Sequence, residues 1–246
     1  MKKTTGIIFT SLKDYIRFSL EYLTAFRDSE CYIDWAIQDE EYSSNNQVND
    51  FMYDNFAMNK QRIWNYALEI YHYIYSPCIW THAFRGKRVL IITPYSNDTM
   101  VARTNPEITK QLYDGVELFP ECKLSFITGP NSKGGGTESD SGSESGSKSS
   151  SSSSSSSVHD DLKALYDRIS MKMQSEDGDF DVALVSCGGY TNLVGNYICK
   201  NLNRGAICFG DELFAYFGIY NQYMISKRPD VIKLFVHKND AWVKFN

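Results

Sequence analysis

Short apolar runs alternate with helix-spaced apolar residues along the second half of the chain. Residues 89–93 and 124–128 are apolar runs that predict strands, and residues 105–119, which open with an Asn-Pro pair, predict a helix between them. Residues 158–174 carry apolar side chains at helical spacing and predict the next helix. This pattern predicts an α/β fold, Rossmann-like, with a mostly parallel central sheet and helices on both faces.

The clearest strand-helix-strand unit follows these elements. Residues 182–187 are an apolar run that predicts a strand, Gly188 and Gly189 then predict a tight turn, and a helical pattern continues to a stop at Gly205. Residues 206–209 predict the next strand. The unit is typical of a parallel sheet, in which ligands bind outside the carboxyl ends of the strands.

The N-terminal part, residues 1–84, is predicted to be a helical segment packed on an α/β part formed by residues 85–246. The length of the chain predicts that both parts belong to one domain. Residues 11–27 and 59–76 have apolar side chains at helical spacing and predict helices, the first of them capped by Ser11. Residues 31–37 predict a strand.

The remaining segments follow weaker patterns. Residues 95–104 are polar and predict a loop, whereas residues 213–220 are apolar and aromatic and predict a helix over the end of the sheet. Residues 231–237 and 241–245 alternate around a turn and predict either a hairpin or an extended arm.

A serine- and glycine-rich insertion, residues 131–157, interrupts the α/β part. It contains too little apolar surface to offset the entropy of ordering, and we predict that it is disordered. The insertion is either a tolerated surface loop or a site of phosphorylation at acid-flanked serines such as Ser139 and Ser143.

Charge and apolar runs exclude several classes of protein. The chain has a formal charge of -5 and no basic stripe, which argues against nucleic-acid binding. The apolar run at residues 7–9 is too short for the core of a signal peptide, and no segment predicts a membrane span, so we expect a cytoplasmic protein. Six cysteines without close pairing favour reduced core thiols over a metal site.

The turn after the strand at residues 182–187 is the first candidate site. Backbone N–H groups at the start of the next helix can hold a phosphate or carboxylate, so Gly188 and Gly189 either face a ligand or only allow a tight turn. The side chains expected to point into the crevice beside them are those of Tyr190, Thr191 and Asn192. Thr191 can alternatively serve as a helix cap.

Two groups of acidic residues supply the other candidates. Asp211 and Glu212 follow a predicted strand, where they either hold a ribose hydroxyl or a divalent cation, or begin the next helix. Residues 38–41 include Asp39 and Glu40 and form either a solvated turn or a cluster that binds a metal-nucleotide complex.

Four segments together resemble a widespread family found among polysaccharide-gene products: residues 86–95, 181–190, 206–210 and 217–219. The members of that family read GKxVLVxxPF, DVALxxxGxYG, GKxAIxxGG and LFGI in the same order. That family is in turn similar, more distantly, to glycosyltransferases of the D-type fold. Those enzymes carry an arginine-glycine-aspartate-glycine-glutamate segment whose acidic pair serves a metal and a sugar nucleotide.

The resemblance aligns residues 33–40 with that acidic segment, where only Glu40 matches its final acid. It implies a glycosyltransferase-like protein with Glu40 as a catalytic residue and Mn or Mg as a possible cofactor. Its partners would be a nucleotide sugar and a glycan acceptor. Asp39, in the same acidic cluster, is the second candidate catalytic residue. The alternative from another class is a non-catalytic ligand-binding or interaction module of the same fold.

Overall fold

The computed structural model describes residues 7, 9, 11–34, 54, 61–64, 79–130, 157–176, 178–227 and 229–244. The strands are β1 (Cys31–Asp34), β2 (Gln61–Trp64), β3 (Arg88–Thr93), β4 (Lys123–Thr128), β5 (Val182–Val185), β6 (Gly205–Cys208), β7 (Ile219–Tyr220) and β8 (Val243–Lys244). The helices are α1 (Leu12–Asp28), α2 (Asn97–Arg103), α3 (Pro106–Leu112), α4 (Val158–Gln174), α5 (Thr191–Leu202), α6 (Glu212–Ala215), α7 (Gln222–Lys227) and α8 (Pro229–Leu234).

The central sheet has the strand order β4-β3-β5-β6, and every pair of neighbours is parallel. The chain is therefore an α/β protein with a Rossmann-like sheet, as the alternation of strands and helices predicts. The predicted strands at residues 89–93, 124–128, 182–187 and 206–209 are confirmed to within the usual uncertainty of element ends.

The two central strands bury side chains on both faces of the sheet. Val89 and Ile91 belong to the core on a first face, which α2, α3, α6, α7 and α8 cover. Leu90 and Ile92 belong to the core on the second face, which α1, α4 and α5 cover. Because neither face meets water, these strands are continuous apolar runs rather than alternating ones.

The N-terminal part matches the prediction at α1 and departs from it at β2. Ser11 caps α1, accepting a hydrogen bond at 3.1 Å from the backbone N–H of Asp14. The predicted helix at residues 59–76 is wrong over Gln61–Trp64, which is a strand paired in parallel with β1. A partner far away in sequence decides this element, and local periodicity cannot reveal such a partner. The rest of residues 59–76 lies outside the described residues.

Two further elements differ from the sequence pattern. The predicted loop at residues 95–104 contains α2, which Ser96 caps and which buries Met100 on the first face. The predicted hairpin or extended arm at residues 231–237 and 241–245 is wrong, since residues 229–234 form α8 and β8 pairs in parallel with β7. Within residues 213–220, helix α6 ends at Ala215 and β7 follows.

The predicted insertion at residues 131–157 lies outside the described residues except for its last residue. Ser157 caps α4 in a reciprocal arrangement with Asp160, whose backbone N–H donates to the Ser157 hydroxyl at 3.2 Å. This cap fixes the first turn of α4. No described helix is both long enough and apolar enough to cross a bilayer.

A buried arginine fastens the C-terminal segment to the first face. Arg103 donates from Nε to the carbonyl of Phe217 at 2.7 Å, and from Nη2 to the carbonyls of Gly218 and Ala241. Burial lowers the pKa of the Arg103 guanidinium, but an arginine keeps its charge at any ordinary pH. The carbonyls replace its lost water, so the α2 helix and the segment from α6 to β8 are held as one unit.

We predict that Gly218→Ala destabilises the protein by about 3 kcal/mol, measured by urea unfolding. Gly218 has a φ of +66°, which costs an L-residue about 1–2 kcal/mol. A Cβ there would also lie 2.2 Å from Leu112 Cδ2, so the side chains around it must shift, at a cost of about 1–3 kcal/mol.

Gly86→Ala is the matched control, because Gly86 has a φ of +72° and no atom within 4 Å of the added Cβ. It should lose only the backbone cost of about 1–2 kcal/mol. Equal losses in the two variants would contradict a packing role for Gly218.

Candidate functional site at the carboxyl edge of the sheet

The chain leaves the two central strands toward opposite faces. After β3 it enters α2, whose Met100 belongs to the first-face core, and after β5 it enters α5, whose Val194 belongs to the second-face core. The strand order also reverses here, since β4 and β5 lie on opposite sides of β3. In open parallel sheets such a divergence opens a crevice at the carboxyl ends of the strands.

The turn after β5 lines this crevice. Gly188 is exposed and has a φ of +56°, a left-handed conformation that glycine adopts without steric cost. Gly188–Tyr190 is a single 3₁₀ turn that runs directly into α5. The positive end of the α5 dipole and the first N–H groups of the turn therefore lie at the rim of the crevice, where an anion is favoured.

The three side chains after the glycines contact the protein itself. Tyr190 is buried and packs edge-on against Phe18 of α1, with ring centroids 6.4 Å apart. The hydroxyl of Thr191 accepts a hydrogen bond from the backbone N–H of Cys187 at 2.8 Å. The amide of Asn192 donates to the hydroxyl of Tyr22 at 2.8 Å. These contacts hold the turn against α1 and leave the glycine backbone as its exposed part.

The acidic residues after β6 lie at the same edge as the glycine turn. The hydroxyl of Ser186, the residue after β5, donates to the carbonyl of Gly210 at 2.8 Å and so joins the two loops. Asp211 accepts a hydrogen bond at 2.7 Å from the amide of Asn221. Glu212 is the first residue of α6. The structure thus brings the Gly188 turn and the Asp211 loop together.

Sequence reasoning missed Tyr95 and Asn221 as residues of this edge. Tyr95 follows β3, and burial together with the nearby Asp211 carboxylate raises the pKa of its phenol. Asn221 caps α7 by accepting from the backbone N–H of Met224 at 3.0 Å while it donates to Asp211. Tyr95 directly follows Pro94, which closes the predicted strand, and this position could have placed Tyr95 at the carboxyl edge. The sequence around Asn221 contains no comparable signal.

Cys187 does not provide a nucleophile for this edge. Its side chain is buried, and burial raises the pKa of its thiol to about 12, so the group is protonated at neutral pH. A Cβ added to Gly129 would lie 2.3 Å from the Cys187 sulfur, which means that the end of β4 packs closely against it. The groups that this loop offers to a ligand are therefore those of its backbone.

The predicted catalytic residues Asp39 and Glu40 lie outside the described residues. Within the part of the chain that the structure describes, no three His, Cys, Asp or Glu side chains gather as a cation site. Mn or Mg binding therefore stays a prediction.

Comparison with known proteins gives no match, since no family model, no curated protein and no solved structure matches this chain. The function is therefore inferred from the carboxyl edge of the sheet itself. The resemblance to the polysaccharide-gene family stays a prediction.

We predict that Thr191→Val loosens the glycine turn, because it leaves the buried N–H of Cys187 without its acceptor. Such a loss costs about 1–3 kcal/mol and should speed hydrogen exchange of the Cys187 amide. Thr191→Ser is the matched control, since it keeps the hydroxyl and removes only a methyl group, which costs about 1 kcal/mol. If the Cys187 amide exchanged equally fast in both variants, the hydroxyl would have no role in holding the turn.

Proposed function

We propose that the chain is a glycosyltransferase-like protein that binds a nucleotide sugar at the carboxyl edge of the sheet and transfers the sugar to a glycan or protein acceptor. The observation that carries this proposal is the exposed, left-handed Gly188 at the start of α5, beside the divergence of β3 and β5. A diphosphate is an anion that such a turn can accept through backbone N–H groups.

In this proposal the two loops of the edge have different roles. The turn at Gly188 and Gly189 binds the diphosphate, while Asp211 and Glu212 accept hydrogen bonds from hydroxyl groups of the ribose or sugar. The amide of Asn221, 2.7 Å from Asp211, orients that carboxylate. Holding donor and acceptor in a fixed orientation then raises the rate of transfer, because the reacting groups need not meet by diffusion.

The transfer step itself is proposed to depend on Glu40, with Asp39 beside it. A divalent cation, when bound, would supply charge neutralisation of the departing nucleoside diphosphate. The resemblance assigns Glu40 to that cation, and Asp39 belongs to the same acidic cluster at residues 38–41. The bond between the anomeric carbon of the sugar and the diphosphate breaks, and the nucleoside diphosphate departs with the electron pair. The oxygen of an acceptor hydroxyl forms the new bond to that carbon, and its proton is released to solvent.

The second candidate is a non-catalytic module that uses the same fold to bind a ligand or partner. A specific observation favours it, since Thr191, Asn192 and Asp211 all have hydrogen-bond partners within the chain that stabilise the fold. In that case the crevice binds its ligand without a transfer reaction. The two candidates share the binding step and differ in turnover.

Binding is tested by thermal shift with a panel of uridine and guanosine diphosphate sugars, each with and without manganese. We expect stabilisation by at least one of them, because a ligand that binds only the folded state raises the melting temperature. The absence of any stabilisation across the panel would count against both the nucleotide-sugar site and the transferase.

The same assay separates the glycine turn from other sites through two isosteric variants. Asn and Asp both tolerate the left-handed backbone of Gly188, so Gly188→Asn and Gly188→Asp should fold alike. The added carboxylate repels a diphosphate, so the Asp variant should bind at least about tenfold more weakly than the Asn variant. Equal affinities of the Asn and Asp variants for the nucleotide sugar would show that the diphosphate does not bind at this turn.

Transfer is tested with a radiolabelled donor that has already passed the binding assay. We expect labelled product with the natural chain and none with Glu40→Gln, while binding to the Gly188 turn persists. Binding without product from any donor would instead identify the non-catalytic module.

A further inference from the structure

An exposed arginine is held at the carboxyl end of β4. Arg168, on α4, donates from Nη1 to the carbonyl of Thr128 at 2.7 Å, and Thr128 is the last residue of β4. Its Nε donates to the carbonyl of Ala164, one turn earlier on the helix, at 3.4 Å. These two bonds hold the guanidinium at the same edge of the sheet as the candidate site.

Within the described part of the chain, Arg168 has no carboxylate partner. Other arginines each form an ion pair with an Asp or Glu, namely Arg17, Arg27, Arg85, Arg88 and Arg204. A guanidinium has about five N–H groups, and the two carbonyls accept from only some of them. The other N–H groups of Arg168, together with its charge, can therefore bind an anion.

The guanidinium of Arg168 lies close to the glycine turn. Gly129 follows Thr128, and a Cβ added to Gly129 would collide with the sulfur of Cys187, the residue before Gly188. The charge of Arg168 reaches this point. Burial raises the pKa of the Cys187 thiol, and the nearby guanidinium opposes that rise. Arg168 and the N–H groups of the turn are therefore within reach of one small ligand.

We propose that Arg168 binds one phosphate of a diphosphate whose other phosphate lies at the Gly188 turn. An arginine binds a phosphate through two parallel N–H groups as well as through its charge, which suits it to this role. The chain then selects sugar donors linked through a diphosphate over donors linked through a single phosphate. This inference rests on the proposed function of the crevice and names a residue that determines its substrate class.

A carboxylate on the same helix acts in the opposite sense. Asp161 precedes Arg168 by about two helical turns and so lies on the same side of α4. Burial and the charge of Asp161 together raise the pKa of the Tyr190 phenol to about 12, which places Asp161 near the glycine turn as well. Arg168 attracts a phosphate in this position and Asp161 repels it. Removing the first charge should weaken binding, and removing the second should strengthen it.

The test is isothermal titration calorimetry of the full chain with inorganic pyrophosphate and with inorganic phosphate, in EDTA so that no metal ion binds the anions. We expect pyrophosphate to bind more tightly than phosphate. Arg168→Gln should weaken pyrophosphate binding at least about tenfold and phosphate binding much less, because it removes charge-assisted hydrogen bonds to the second phosphate alone. Arg168→Lys keeps the charge and should restore part of the affinity. Asp161→Asn should tighten pyrophosphate binding roughly threefold.

Lys163→Gln is the matched control, because it removes an exposed cation from another side of α4. Residues 163 and 168 lie about 140° apart around the helix axis. This variant should bind pyrophosphate as the natural chain does. Urea unfolding should be alike in Arg168→Gln and Lys163→Gln, because both side chains are exposed. A difference in affinity then reports on the anion and not on folding.

The outcomes distinguish a failure of Arg168 from a failure of the nucleotide-sugar proposal. Equal pyrophosphate affinities of Arg168→Gln and the natural chain, or an equal loss in Lys163→Gln, would overturn the role of Arg168 and leave the nucleotide-sugar site to the thermal-shift assay. Failure of the natural chain to bind pyrophosphate would overturn this inference outright. Loss of pyrophosphate binding in Arg168→Gln, with no stabilisation by any nucleotide sugar, would support Arg168 as a diphosphate ligand and contradict the nucleotide-sugar proposal.

Discussion

The structure depends on the burial of β3 and β5 on both faces of one parallel sheet. Val89, Leu90, Ile91 and Ile92 have no exposed surface, so helices must cover the sheet on each side. A chain that supplies those helices in sequence has to leave neighbouring strands toward different faces. The divergence of the chain at the carboxyl edge is therefore a consequence of the same burial that stabilises the fold, and it is at such a divergence that open parallel sheets bind their ligands.

Sequence reasoning succeeds where a structural feature is local. The apolar run before Gly188, the glycine turn itself and the cap at Ser11 each involve residues within a few positions of one another, and the structure has all of them. Two central strands of the sheet could be found because burial on both faces leaves residues 89–92 and 182–185 wholly apolar. The α/β class and the edge that carries the candidate site follow from these local signals.

Features that depend on distant partners could not be predicted. The strand Gln61–Trp64 exists because it pairs with β1, and β8 exists because it pairs with β7. The orientation of Asn192 is set by Tyr22 on a helix about one hundred and seventy positions earlier. The side chains expected in the crevice turn toward the core for this reason, since burial and a hydrogen bond together stabilise them more than exposure at the rim.

Two glycines of the family motifs have different roles, one in the structure and one in the candidate site. Gly188 and Gly218 both have a positive φ, so conformation alone explains why each position suits glycine. Around Gly218 the space is filled by Leu112 and Arg103, and the residue serves to attach the C-terminal segment. Gly188 is exposed at a helix start, in a crevice that the topology creates. A motif glycine with open space and N–H groups beside it can receive a ligand, whereas one enclosed by side chains cannot, and that difference singles out Gly188.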